Sequence, residues 1–187
     1  MEKSIWQKDA GQFKLENLSE KTSTDVLIIG GGITGLTCCY NFINKKYNVV
    51  LLEAGKFFTG TTCKSTGKLT YLQDLKYQDI YDVYDFEIAK LYYEAQKDAI
   101  RLVKKIVKDN DIECNLTKTE AVTFTKDNKE IKKFDKEEEI LNLLGVKYYI
   151  NSTNIKDENI KRMILVKNTY VFNPVKYLKG LLKAIKK

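Results

Sequence analysis

The residues Val26-Leu27-Ile28-Ile29 form a continuous apolar run that ends in glycines, the pattern of a short strand buried on both faces. From Ile33 to Lys46 the apolar positions recur at helical spacing, with Leu36, Cys39, Tyr40 and Ile43 in register. Tyr47-Asn48 then leads into a second apolar run, Val49-Val50-Leu51-Leu52. Strand, helix and strand in so few residues predict a βαβ unit with parallel strands and a right-handed crossover. Further on, the pattern changes. A long helix is expected over about 85–108, with Ile88, Leu91, Ala95, Ala99, Leu102 and Ile106 on its apolar face. A strand is expected at Glu120–Thr125, a charged helix over 130–144 closed by Gly145, and strands at 146–150 and 163–166. Asn173-Pro174 opens a last helix, with proline in its first turn. The predicted fold class is α/β: a Rossmann-like unit with an incomplete parallel sheet in residues 25–85, followed by an α+β portion in 86–187. Residues 1–24 read as a polar arm over the body, with Ile5, Trp6, Phe13 and Leu15 as its apolar contacts.

Composition narrows the chemistry. Hydrophobic residues make up 43% and charged residues 30% of the 187, which fits a globular chain. No apolar stretch is long enough to span a bilayer, and Met1 to Trp6 carry no apolar signal region, so the expected compartment is the cytoplasm. There is no histidine, which excludes a Ser-His-Asp triad and a histidine-ligated metal site within these residues. Cys38, Cys39, Cys63 and Cys114 form no CxxC pair and read as reduced thiols. All of the +7 net charge lies in residues 156–187, which hold nine basic and two acidic side chains. The basic residues are almost all single lysines, so neither nucleic acid nor a membrane is expected as a partner.

The sharpest signal is Gly30-Gly31-Gly32-Ile33-Thr34-Gly35, a G-x-G-x-x-G pattern that follows a strand and opens a helix. Gly30 permits the tight turn, Gly32 lets a pyrophosphate approach the backbone, and Gly35 lets the helix pack on the strand. The free N–H groups of the helix N-terminus then face the phosphates. Glu53 ends the second strand, 18 residues after Gly35, where a carboxylate can accept hydrogen bonds from ribose hydroxyls and would repel a 2′-phosphate. Glycine geometry does not separate FAD from NAD. The hydroxyl-rich loop Gly60 to Thr70 offers the small donors that the longer FAD requires.

Three stretches together resemble the FAD-dependent oxidoreductases of the D-amino acid oxidase/glycine oxidase class: Asp25 to Thr37, Val49 to Ala54 and Gly60-Thr61-Thr62. Ser4-Ile5-Trp6 and Ser65 to Thr70 resemble a bacterial branch often fused to a Rieske iron–sulfur domain. The resemblance implies that Gly30, Gly32, Ile33, Thr34 and Gly35 cradle the FAD pyrophosphate. It implies that Glu53 and Ala54 lie at the adenosine ribose, and that Thr61, Thr62, Ser65, Thr66 and Gly67 line the path toward the flavin. Cys63 and Asp74 depart from the branch pattern, which has glycine and histidine there. Members of the class are about twice this length, so the resemblance implies an N-terminal portion joined to an α+β substrate-domain portion.

The implied reaction is hydride transfer from a small amine or amino-acid-like substrate to flavin. No catalytic residue is assigned. Of the two arginines, Arg101 reads as an exposed helical residue, and Arg162 opens a strand that could face a substrate cavity. Tyr77, Tyr81, Tyr84, Tyr92 and Tyr93 read as helix and core packing. Two other readings stay open: a catalytically incomplete fragment that binds nucleotide or needs a second chain, and an NAD-binding module. A two- or three-stranded parallel sheet leaves apolar surface that a second chain or self-association would cover.

Overall fold

A computed structural model of the chain describes residues 4–9, 11, 17–18, 20–151, 155 and 157–186. Phe13 and Leu15 lie outside the described residues. The chain divides into two units. The first comprises Met1–Gly67, Lys104–Leu116 and Phe172–Lys187; the second comprises Lys68–Val103 and Thr117–Val171. The boundary expected near residue 85 therefore falls at 67, and the chain returns to the first unit twice.

In the first unit, β1 (Val26–Ile29) and β2 (Val49–Leu52) pair in parallel, Val26 opposite Val49 and Ile29 opposite Leu52. The helix α1 (Ile33–Asn44) connects them and buries Leu36 and Cys39. Asp25 fixes the lower end of the pair: its carboxylate accepts from Asn48 N–H, and its own N–H donates to Asn48 carbonyl. The last helix of the chain, α5 (Pro174–Ile185), packs on α1 and buries Val175, Tyr177, Leu178, Leu181 and Leu182. Asn173 caps it as the sequence predicts, its side chain accepting from the N–H groups of Val175 and Lys176.

The expectation for β1 requires correction. It is covered on one face only: Leu27 is 54% and Ile29 83% exposed. The sheet has two strands and α1 lies against one side of it, so every second side chain of β1 meets solvent. Leu18, Leu27, Val50 and Leu52 line a groove of about 460 Å³ on this unit.

The second unit is an antiparallel sheet packed with helices. β6 (Arg162–Val171) is its centre. It pairs with β4 (Thr117–Thr125) along one edge, and with β3 (Lys68–Leu69) and β5 (Tyr148–Tyr149) along the other. The helices α2 (Lys76–Val83) and α4 (Ile131–Leu143) supply Tyr77, Phe134, Ile140 and Leu141 to a core with Ile164 and Val166 of β6. Tyr92 and Tyr93 of α3 (Phe86–Asp109) pack against this core, edge-on to Tyr77. The predicted apolar face of α3 holds at Leu102 and Ile106 and is displaced in the turns before them. Ile88 and Leu91 are exposed, and the buried line runs through Ala89, Ile100, Val103 and Ile106, with Tyr92 and Tyr93 half-buried beside it. An aliphatic count overlooks tyrosines, which bury a ring and keep a hydroxyl at the surface. Tyr81 and Tyr84 are exposed, against the expectation that all five tyrosines pack.

Glu137 of α4 is fully buried, and its two oxygens accept from the N–H groups of Tyr77 and Gln78 at the start of α2. Burial pushes its carboxyl up to about 7 despite those bonds. The folded form therefore keeps its proton where the unfolded chain, with an ordinary carboxyl near 4.5, has released it. Stability contributed by this group is present below about pH 4.5. It should fall by roughly 1.4 kcal/mol per pH unit up to about pH 7. Urea titrations at pH 5, 6, 7 and 8 should show that slope. Glu137→Gln should flatten it while lowering stability at pH 5, because an amide can accept from only one of the two N–H groups.

Candidate functional site

The β1–α1 turn is built as its glycines require. Gly30 has φ +107, a conformation that side-chain-bearing residues rarely adopt, and a Cβ there would meet nothing within 4 Å, so its outer face is open. Gly35 is a close-approach residue: a Cβ would lie 1.9 Å from the Gly30 carbonyl oxygen and 3.3 Å from Ile28. The first turn of α1 therefore rests directly on the end of β1. Gly32 is the N-cap and has no side chain to cap with. That task falls to Thr62, whose hydroxyl oxygen accepts from Ile33 N–H at 3.1 Å across 29 residues of sequence. A hydroxyl that accepts one hydrogen bond can still donate its proton to another group.

Glu53 reaches the same turn. Its Oε2 accepts from Gly31 N–H at 2.7 Å and its Oε1 from Gly55 N–H at 2.8 Å. The Gly31 bond, then the Gly55 bond, hold its carboxyl below the usual range, so it stays ionised in neutral and mildly acidic solution. Each oxygen retains a lone pair for a further donor. Ala54 follows, exposed. Thr34 is exposed at the first turn of α1, and Ile33 is half-buried.

The structure thus brings Gly30, Gly32, Ile33, Thr34, Gly35, Glu53, Ala54 and Thr62 to one turn. The rest of the hydroxyl-rich loop does other work. Ser65 carbonyl accepts from Trp6 Nε1 at 2.8 Å, which fixes the arm as the sequence suggests. Ser65 hydroxyl accepts from Gly67 N–H. Gly67 has φ +67, and a Cβ there would lie 2.4 Å from Phe172 carbonyl oxygen. Thr61 and Thr66 are exposed. Cys63 is fully buried, and burial raises its thiol, as suits a packing residue.

Arg101 is exposed and ion-paired with Asp98 on its own helix. Arg162 pairs with Asp135 at 2.9 Å and Glu138 at 2.8 Å on α4, so its charge is already answered within the second unit. Phe57 escaped the sequence reading. Its ring lies against Gly31, where a Cβ would come within 2.5 Å of it. The only signal was two adjacent aromatics, Phe57-Phe58, in a loop of otherwise small and polar residues.

Residues 25–187 match the family described as DAO, FAD dependent oxidoreductase. The chain belongs to this family. Within the DAO family it is 37% identical over 172 residues to a Bacillus subtilis protein named as a Rieske 2Fe-2S iron–sulfur protein, YhfW; the match takes in 90% of this chain and 33% of that protein. In fold it is similar to L-amino acid deaminase from Proteus myxofaciens, with a TM-score of 0.70, 16% identity, and 99% of this chain matched to 40% of that one. It is also similar to glycine oxidase from Geobacillus kaustophilus, with a TM-score of 0.61, 12% identity, and 87% matched to 44%. The chain therefore spans about a third of the curated relative's length. With no histidine, its 187 residues cannot furnish the two-histidine side of a Rieske centre.

The cofactor of the DAO family is FAD, and the turn fits an adenine dinucleotide: an open glycine face at a helix N-terminus and an ionised carboxylate at the neighbouring strand end. Two outcomes follow for the isolated chain in ADP titrations by calorimetry. Glu53→Gln should weaken binding by about tenfold, the worth of a charge-assisted hydrogen bond. The ratio of the parent's affinity to that of Glu53→Gln should stay flat from pH 8 to 5, because the carboxyl is held below its ordinary range while the ligand's phosphate titrates alike for both.

Proposed function

We propose that this chain is the N-terminal, cofactor-binding part of an amino-acid-oxidase-like flavoenzyme that oxidises a small amine or amino-acid-like substrate. The observation that carries the reading is the Glu53 carboxylate held on Gly31 N–H at the glycine turn, within a family match that runs to residue 187. Gly30, Gly32, Ile33, Thr34 and Gly35 would hold the pyrophosphate. Glu53 and Ala54 would hold the ribose. Thr61, Thr62, Ser65, Thr66 and Gly67 would lie toward the flavin, with Thr62 donating its hydroxyl proton to a phosphate oxygen. Bound FAD supplies the hydride acceptor. The chain's own part is to orient the dinucleotide and keep a fixed negative charge at its sugar. The first unit is the FAD-binding part, and the second is a portion of the substrate domain. The reading places the protein in the cytoplasm. Among the described residues no helix is long and apolar enough to cross a membrane.

A second reading has an observation of its own. The open face of β1, with Leu27 and Ile29 exposed, favours a chain that works only when further polypeptide covers that face, in the same molecule or from a second one. The NAD-module reading loses ground to the family match.

The visible spectrum of the purified chain tests the first reading. Bound flavin bands are expected, and anaerobic addition of small amines and α-amino acids should bleach them with one class. A colourless protein that FAD does not colour on mixing overturns it. A yellow protein that no such substrate bleaches points to the second reading.

A further inference from the structure

We propose that Phe57 is the positioning residue of the ribose-binding carboxylate: its ring, wedged against Gly31, holds Glu53 on the Gly31 N–H so that the turn receives the nucleotide sugar in one arrangement. The proposal rests on the dinucleotide reading above and adds to it a residue outside the glycine motif.

Three groups meet at Gly31. A Cβ built there would lie 2.5 Å from Phe57 Cε1, 2.6 Å from its Cζ and 3.2 Å from Glu53 Oε2. The ring edge therefore covers the one face of Gly31 that a side chain would occupy, beside the carboxylate. Phe57 is itself buried, at 7% exposure. A buried ring excludes water from that side of the Gly31–Glu53 bond, and a hydrogen bond shielded from water is stronger. Gly31, an unassigned position in G-x-G-x-x-G, thus has its own reason to be glycine: the ring needs the space.

The ring is held in turn by a strained backbone. Phe58 has φ +63, a left-handed conformation that bulky residues rarely adopt. Consecutive side chains of an extended segment point to opposite sides, which would leave one of the two rings in water. The left-handed residue breaks that alternation and both rings are buried, edge to face with centroids 5.8 Å apart. Lys179 of α5 stands over the Phe58 ring at 5.9 Å, which secures the pair against the first unit's last helix.

Calorimetric titration of the full chain with ADP, 2′-deoxy-ADP and 3′-deoxy-ADP tests this. The parent should prefer ADP to at least one deoxy analogue by about tenfold, the worth of a hydroxyl–carboxylate bond. Phe57→Ala should lose that preference: ADP binding should fall to the level of the deoxy analogue, whose own affinity stays near the parent's. Phe57→Leu, which keeps most of the bulk, should keep most of the preference. Gly31→Ala should lose it too, and the double variant Gly31→Ala/Phe57→Ala should bind ADP better than Gly31→Ala alone. Should Phe57→Ala not fold, Phe57→Leu takes its place in the pair: Gly31→Ala/Phe57→Leu, which lacks the Cε1 and Cζ that crowd Gly31, should bind ADP better than Gly31→Ala, and no relief overturns the proposal. A Phe57→Ala protein with the parent's ADP preference overturns the proposal, as does a Gly31→Ala defect that Phe57→Ala leaves unrelieved. A parent chain that binds no adenine nucleotide overturns the dinucleotide reading, and this proposal with it.

Discussion

A hydrogen bond from Gly31 N–H to Glu53 Oε2 at 2.7 Å, next to the one from Gly30 N–H to Leu52 carbonyl, joins the ends of the two parallel strands at the glycine turn. Parallel pairing already brings Ile29 level with Leu52. The residues just beyond them, a glycine turn on one side and an acid on the other, must then meet or repel. A backbone N–H at a helix start and an ionised carboxylate attract. The same bond lowers the carboxyl's affinity for its proton and sets the carboxylate's direction. The close approach of Gly35 to Gly30 carbonyl is the second constraint on the turn: it leaves no freedom for α1 to slide along β1. Between them, these two contacts define the turn's geometry.

That turn was legible in the sequence because its requirements are local. A left-handed glycine, a helix resting on a strand end and an acid at a set spacing each need particular residues at particular positions. The charged helix closed by Gly145, at φ +66, and the Asn173-Pro174 cap were legible for the same reason. Burial was less so. Val26 to Ile29 has the composition of a strand covered twice, yet Ile29 is largely exposed, because covering a face takes a partner that the strand's own four residues do not specify. The displaced face of α3 shows the same gap from the other side. Tyr92 and Tyr93 pack on Tyr77, a residue of α2, and no helical period reports which of two faces a distant ring will choose.

Within the candidate site, the individual roles that the sequence left unassigned depend on long-range contacts. Thr62 is one of several hydroxyls in its loop, and nothing in that loop distinguishes it as the acceptor for Ile33 N–H. Ser65 and Thr66 look equivalent to it by composition, but Ser65 holds Trp6 through its carbonyl and Thr66 is exposed. The hydroxyl-rich stretch is thus divided between the turn and the arm. Phe57 is a hydrophobic residue whose importance comes from what it touches, and its neighbour's backbone conformation is invisible until the fold is known.

The two units answer the problem of buried polarity differently. In the first, the carboxylate of Glu53 stays partly exposed and takes backbone donors that favour its charge. In the second, Glu137 takes two backbone donors of the same kind, but it is sealed beneath Tyr77 and the sheet, and desolvation outweighs the bonds. Identical hydrogen-bond chemistry therefore gives opposite proton affinities, and access to water decides between them. A carboxylate that must meet a sugar hydroxyl has to remain charged and reachable, so it belongs on an open turn. A carboxyl that only fastens the start of α2 to α4 can be buried, because it stabilises the unit best when it keeps its proton. The exposed outer face of Gly30 and the unanswered lone pairs of Glu53 follow from that division, and they are what the proposed reading uses to hold a nucleotide at the turn.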